Sequence, residues 1–289
     1  MSHLFVIVDC APSSLVDQRQ FMKWLDSITV FCNSHLMVDE KNHLTVVASF
    51  VVANKIILST DDGLHPNKNI ISQGGQFEKF AFLTDIMRSG IKNLIKGSPS
   101  IVSSDSLLAS ALGICLCKIN TNKKLPSRIL VVSCSMQVGS YAWQYMNLMN
   151  SFFAAQKMNV PIDGCVVMKE EAKRGSILEQ GCDLTGGHFL NVPDIAGTLE
   201  YLLWIFLPST KVRETLLLPE KRRATHRAAC FCHRNIIDVG YVCSVCLSIF
   251  CTFSPICSSC QTHFKLELPT NVINKLSGTG SQNSNSKSD

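Results

Sequence analysis

The 289-residue chain is 46% hydrophobic and only 17% charged, which excludes an intrinsically disordered protein and leaves room for one core of roughly 200 residues plus a small appendage. Its net charge of +5 is modest, and the one short basic cluster, Lys221, Arg222 and Arg223, falls short of the stripe expected of a dedicated nucleic-acid binder. No run reaches the roughly 18 apolar residues of a membrane span, and the opening MSHLFVIVDC meets an acid too soon for an export signal, so a soluble, intracellular chain is expected.

In chain order, Leu4 to Val8 reads as a first strand. Ser13 or Ser14 can cap a helix running to about Cys32, with Phe21, Trp24, Leu25 and Ile28 on one apolar face. His43 to Val52 and Lys55 to Ser59, parted only by Ala53 and Asn54, predict a hairpin with a very short turn, and hence one antiparallel edge. Helices follow over Gln76 to Lys96 and Asp105 to Asn120, separated by the turn signal Gly97-Ser98-Pro99. Arg128 to Ser133 is a buried strand, Tyr141 to Met158 a helix, Ile162 to Met168 a strand, Ser176 to Asp183 a helix and His188 to Val192 a last short strand. Asp194 can cap a final helix that ends before Pro208.

Strands and helices in alternation, with right-handed crossovers, give an α/β domain of Rossmann-like, doubly wound type: a mostly parallel sheet with helices on both faces, spanning 1–207. Residues 208–227, with Pro219 and the basic cluster, read as a linker. A small module follows at 228–268, and 277–289, nearly devoid of apolar residues, is expected to be disordered.

Seven of the fourteen cysteines are scattered over the first 182 residues and seven are packed between Cys230 and Cys260. The scattered ones, such as Cys115, Cys117 and Cys165, read as small buried hydrophobes of a reducing compartment. In the dense group, Cys243-Ser-Val-Cys246, ten residues, then Cys257-Ser-Ser-Cys260 form a CxxC…CxxC pair. Each turn offers two thiolates to one ion, and two turns complete a closed tetrahedral site that leaves no position for a reactive water. A structural zinc held by Cys243, Cys246, Cys257 and Cys260 is therefore expected, supplying folding free energy to a segment too short for its own core. Cys230, Cys232 and Cys251, with His233 or His263, are candidates for a second, RING-like site, or else pack beside the first.

The large domain offers no catalytic or cofactor-binding residues. No GxGxxG follows the first strand, and GxxxxGK[ST], GxSxG and HExxH are absent. The turn Asp9-Cys-Ala11-Pro-Ser13 resembles the Asp-x-Ser-x-Ser metal-binding turn of von Willebrand A domains with one serine lost, and the central strand ends Ser133-Cys134-Ser135 where those domains place a carboxylate. Too few hard oxygens remain for Mg²⁺ or Ca²⁺, so Asp9 is expected to cap loop amides instead.

A degenerate von Willebrand A domain followed by a four-cysteine zinc finger resembles the family of subunit 3 of the general transcription and DNA-repair factor TFIIH. The likeness runs over nearly the whole chain and is carried by Phe5-Val-Ile-Val-Asp9, Ser110-Ala-Leu-Gly-Ile114, Ile177 to Val192, Tyr201-Leu-Leu-Trp204 and, most specifically, Arg227 to Cys260. It implies a non-catalytic structural subunit of the TFIIH core in the nucleus, bound to subunit 2 and supporting the XPB and XPD helicases. The implied roles are RNA polymerase II transcription initiation and nucleotide excision repair, with DNA met only indirectly. From the residues alone, a RING-like ubiquitin ligase and a zinc-finger nucleic-acid binder stay open as alternatives.

Overall fold

The computed structural model describes residues 2–11, 18–61, 77–96, 105–122, 125–134, 141–167, 176–219, 228–233 and 235–264. The chain divides into two compact units, 1–227 and 228–289.

In the larger unit the first strand, β1 (His3–Asp9), is buried along its whole length, as are nearly all of β4 (Ser127–Ser133) and β5 (Ile162–Val167). Strands covered on both faces read as continuous apolar runs, which is why they were legible without alternation. With β2 (His43–Ser49), β3 (Asn54–Ser59) and β6 (Phe189–Val192) they form one six-stranded sheet in the order β3-β2-β1-β4-β5-β6. Every pairing is parallel except β2 with β3. This doubly wound arrangement is the Rossmann-like α/β fold expected from the alternation of elements, and it agrees with what the von Willebrand A resemblance implied.

Alternate residues of β1 serve different layers. Leu4, Val6 and Val8 pack in one core with Trp24, Leu25 and Ile28 of α1 (Gln18–Val38), Met87 of α2 (Phe77–Lys96), and Leu202 and Phe206 near the end of the unit. The opposite face is covered by α3 (Leu108–Thr121), α4 (Tyr145–Lys157) and α5 (Ile177–Thr185), where α4 buries Leu148, Phe152 and Ala155 at helical spacing. Among the described residues no helix is long and apolar enough to cross a membrane.

Several boundaries differ from the predicted ones for visible reasons. The β2–β3 connection is longer than the two-residue turn, because β2 stops at Ser49 and the Phe50 carbonyl leaves the ladder to accept the Leu107 N–H at 3.0 Å. Helix α3 starts at Leu108 rather than Asp105, since the Asp105 carboxylate accepts the Tyr141 N–H at 2.8 Å. Its start is capped from another element: the buried Gln144 side chain accepts the Ala109 N–H at 3.1 Å and donates to the Ser106 carbonyl at 2.6 Å. The last helix is not continuous; a 3₁₀ turn (Ile195–Gly197) leads into α6 (Thr198–Tyr201) and a π-helical turn (Leu202–Phe206), and Asp194 makes no side-chain cap. The caps proposed at Ser13 and Ser14, the turn at Gly97 to Pro99, the basic cluster and the tail lie outside the described residues.

Helix α5 ends on Gly186, whose φ of +76° is the left-handed conformation that suits glycine. At the next residue a Cβ on Gly187 would meet the Ile162 carbonyl oxygen at 1.9 Å, so backbone there packs on backbone.

The segment after Pro208, expected to be linker, is not free of the domain. It forms α7 (Thr210–Arg213), and Arg213 is buried against Asp163 of β5, its Nη1 donating to Oδ1 at 3.0 Å and its Nη2 lying 2.8 Å from Oδ2. Arg213 also donates to the Phe206 carbonyl at 3.2 Å, and buried Arg128 of β4 donates to the carbonyls of Leu207 and Pro208 at 3.1 and 2.9 Å. These carbonyls end a helix and favour a cation. Burial pushes the Arg128 guanidinium down to about 10, which leaves it charged at neutral pH.

Two outcomes follow. Arg213→Ala strips the counter-charge from a buried carboxylate and is expected to destabilise the chain by about 3–5 kcal/mol, read from urea denaturation. Burial also pushes the His35 imidazole, with Arg128 as its second-largest perturber, from the ordinary 6.5 down to about 4. Between those values the unfolded chain takes a proton that the folded chain refuses, so stability falls as pH drops from about 6.5 to 4. Unfolding midpoints across that window should depend less steeply on pH in His35→Phe, with a remaining slope from His3, which burial also pushes down to about 4.

Candidate functional site

Open α/β sheets bind ligands at the carboxyl ends of their strands. Among the described residues at that edge, Asp9 is a fully buried carboxylate at the end of β1. Its Oδ1 accepts the Ala11 N–H at 3.1 Å, the loop-amide cap foreseen in the sequence. Its Oδ2 accepts the Ser133 hydroxyl at 2.7 Å from β4 and the Tyr141 hydroxyl at 2.5 Å. Tyr141 in turn lies 3.1 Å from the Ser106 hydroxyl. Burial, followed by the Asp9 charge, pushes the phenol well above its ordinary value, so Tyr141 stays protonated and donates.

Tyr141 was read only as the start of a helix. In the structure it precedes the 3₁₀ turn Ala142–Gln144 with a φ of +67°, which turns its ring inward, and it is buried. An oxygen that already takes two hydroxyl donors is poorly placed for a hard cation that needs six or more oxygens. Trp143, in the same 3₁₀ turn, is 46% exposed, and Trp204 is 77% exposed.

In the smaller unit, β7 (Ala228–Ala229) pairs with β8 (Ile236–Ile237), and β9 (Tyr241–Val242) pairs with β10 (Ile249–Phe250), both antiparallel. The two CxxC turns have the same backbone. Cys243 N–H donates to the Ser248 carbonyl and Leu247 N–H to the Cys243 carbonyl, both at 2.9 Å. Cys257 N–H donates to the Thr262 carbonyl at 2.9 Å and Gln261 N–H to the Cys257 carbonyl at 2.8 Å. Leu247 and Gln261, each following the second cysteine, share a left-handed φ of 59° and 58°. In each turn a hydroxyl sits two residues after the second cysteine: Ser248 Oγ is 3.2 Å from Cys246 Sγ, and Thr262 Oγ1 is 3.1 Å from Cys260 Sγ.

These turns bring Cys243, Cys246, Cys257 and Cys260 together, with one ligand atom from each within 4.8 Å of all the others. The Cys243 and Cys260 sulfurs stand 3.7 Å apart and those of Cys246 and Cys257 3.6 Å apart. Sulfurs at the corners of a tetrahedron with Zn–S of about 2.3 Å would be about 3.8 Å apart, so the cluster has the size of a closed zinc cage, and all four cysteines are free of disulfides. Hydrogen bonding to the Ser248 hydroxyl pulls the Cys246 thiol down to about 6 and the Thr262 hydroxyl lowers Cys260, favouring the thiolate at the second cysteine of each turn, while Cys257 is pushed up to about 11 among its neighbouring thiols.

A second set, Cys230, Cys232, His233 and Cys251, is gathered in the same way. His263, the alternative ligand, is not part of it and forms a backbone bridge with Ile256. The unit thus contains two cysteine-rich groups able to hold a metal. The sequence raised the second without resolving it, because Cys-x-Cys-His is not a familiar half-site.

A substitution and a titration test the bonds made by Asp9. Tyr141→Phe leaves Asp9 short of a buried donor and should cost about 1–3 kcal/mol of stability by urea denaturation. Millimolar Mg²⁺ should leave the wild-type melting temperature unchanged.

A family model described as "Transcription factor Tfb4" matches residues 1–261 of the chain. A Schizosaccharomyces pombe protein named general transcription and DNA repair factor IIH subunit tfb4 is 36% identical over 278 residues, covering 92% of this chain and 90% of its own. General transcription factor IIH subunit 3 of Dictyostelium discoideum is 32% identical over 266 residues, covering 86% and 69%. Among solved structures, the TFIIH p34 N-terminal domain superposes with a TM-score of 0.54 at 25% identity, over 70% of this chain and 96% of that one.

Proposed function

The chain belongs to the transcription factor Tfb4 family, and from that premise we propose that it is a non-catalytic structural subunit of the TFIIH core, acting in RNA polymerase II transcription initiation and nucleotide excision repair. The observation that carries the reading is the match over residues 1–261, which takes in both units rather than the α/β fold alone. A fold by itself would not indicate a function.

Two features of the structure support the non-catalytic part. At the edge of the sheet where ligands bind in related architectures, Asp9 is engaged internally by the Ser133 and Tyr141 hydroxyls. Large apolar side chains such as Trp204 and Trp143 are left on the surface, which suits a protein that works inside an assembly. In this reading the partners are TFIIH subunit 2 and the core that supports the XPB and XPD helicases, the location is the nucleus, and DNA is met through those partners.

Cys243, Cys246, Cys257 and Cys260 are the proposed ligands of a structural zinc. The repeated turn geometry, the 3.6–3.7 Å sulfur spacings and the hydroxyl beside each second cysteine support this assignment. A four-sulfur cage has no open coordination position, so its chemistry is that of a cross-link.

Tagged full-length chain purified from nuclear extract should recover the other core subunits in stoichiometric amounts. Recovery alone, with stimulation of ubiquitin discharge from a conjugating enzyme, would overturn the subunit reading in favour of a ligase. Affinity for DNA that falls steeply with salt would favour direct nucleic-acid binding. Stripping metal with a strong chelator should make residues 228–264 protease-sensitive while the α/β unit keeps its helical circular-dichroism signal.

A further inference from the structure

We propose that Cys230, Cys232, His233 and Cys251 bind a second zinc ion, interleaved with the four-cysteine site so that the smaller unit is cross-braced. The first support is geometric. One ligand atom from each of the four residues lies within 4.8 Å of the others. Cys232 Sγ stands 3.4 Å from Cys251 Sγ, and His233 Nδ1 stands 3.2 Å from it. A tetrahedral zinc with Zn–S of about 2.3 Å and Zn–N of about 2.0 Å holds sulfurs about 3.8 Å apart, and sulfur and nitrogen about 3.5 Å apart. The observed separations are a few tenths of an ångström shorter, close enough for an ion to seat with small side-chain shifts. Three thiols and an imidazole are a donor set proper to zinc.

The second support is a repeat in the sequence that the structure makes meaningful. Cys230-Phe-Cys-His233 has the same outer spacing as Cys243-Ser-Val-Cys246 and Cys257-Ser-Ser-Cys260. Its first residue also makes the same turn bond: Cys230 N–H donates to the carbonyl five residues on, Asn235, at 2.9 Å, as Cys243 does to Ser248 and Cys257 to Thr262. A fourth segment, Cys251-Thr-Phe-Ser254, repeats the spacing again but ends in serine. Ser254 cannot supply the missing ligand, since its hydroxyl donates to the Ile256 carbonyl at 2.7 Å. Cys232, the extra cysteine inside the first half-site, supplies the fourth donor instead. The Cys-x-Cys-His run that looks irregular in the sequence thus compensates for a serine 22 positions later.

The order of ligands gives the consequence. Half-sites one and three (residues 230–233 and 251) build one cluster, and half-sites two and four (243–246 and 257–260) build the other. Neither ion closes a loop that excludes the other's ligands, so the two sites pin a segment with only two-residue strands and little core. The proposal does not depend on the TFIIH reading, and a ligase function does not follow from it.

The experiment is ion counting by native mass spectrometry on the full-length zinc-loaded chain, with zinc X-ray absorption on the same sample. Two zincs per wild-type chain and an averaged shell of mostly sulfur with a minor nitrogen contribution are expected. Cys251→Ser should hold at most one zinc. His233→Cys should keep two and lose the nitrogen signal, a variant that separates ligation from simple misfolding. A single zinc with an all-sulfur shell in the wild type, or an unchanged count in Cys251→Ser, would overturn the proposal. If Cys251→Ser lowers the count while Cys246→Ser does not, the second site stands and the four-cysteine assignment falls.

Discussion

The arrangement of the larger unit turns on Asp163. This carboxylate sits fully buried near the start of β5, at one end of a sheet covered on both faces, and an unpaired charge there would be prohibitively costly. Its neutralisation comes from Arg213, fifty residues further along the chain, while the His188 N–H at 2.9 Å ties in the approach to β6. Arg128, on the neighbouring strand, uses its guanidinium on the carbonyls that end the π-helical turn. Four elements are therefore held by one set of charges. A buried ion pair gains little net stability over a well-packed apolar substitute, but breaking it is expensive. Its effect is to require that the segment beyond Pro208 fold back onto the sheet.

At the opposite end of the sheet the polar groups at the end of β1 are likewise paired within the protein. Asp9 lies where von Willebrand A domains begin their ion site, yet its oxygens are spent on an amide, a serine and a tyrosine inside the protein. Tyr141 links β1 to the α3 region through Ser106 and Asp105, and Gln144 next to it caps α3. These bonds make the end of β1 a structural joint between the sheet and the segments that carry α3 and Tyr141.

The smaller unit solves a different problem. Its strands are two residues long, and many of its large apolar residues, including Val239, Val245 and Leu247, are exposed, so hydrophobic burial cannot specify its shape. Repeated cysteine turns take over that role. The match to the Tfb4 family runs over 1–261 and so takes in both the α/β sheet and the cysteine-rich appendage.

The sequence by itself determined the parallel sheet, the antiparallel edge, the order of elements and the four CxxC cysteines. These are signals of local period or fixed spacing, and burial on both strand faces or chelation by one turn is a short-range demand. The Asp9 cap on the Ala11 amide was equally legible, since an aspartate can bond the backbone two residues on. Only the tertiary structure decided that Tyr141 closes Asp9, that Gln144 caps α3, that Arg213 draws the supposed linker onto the domain, and that His233 rather than His263 joins Cys230, Cys232 and Cys251. Each of these is a pairing between polar groups far apart in the chain, and which distant donor reaches a buried acceptor depends on how the sheet and its helices pack, a quantity that no local pattern encodes.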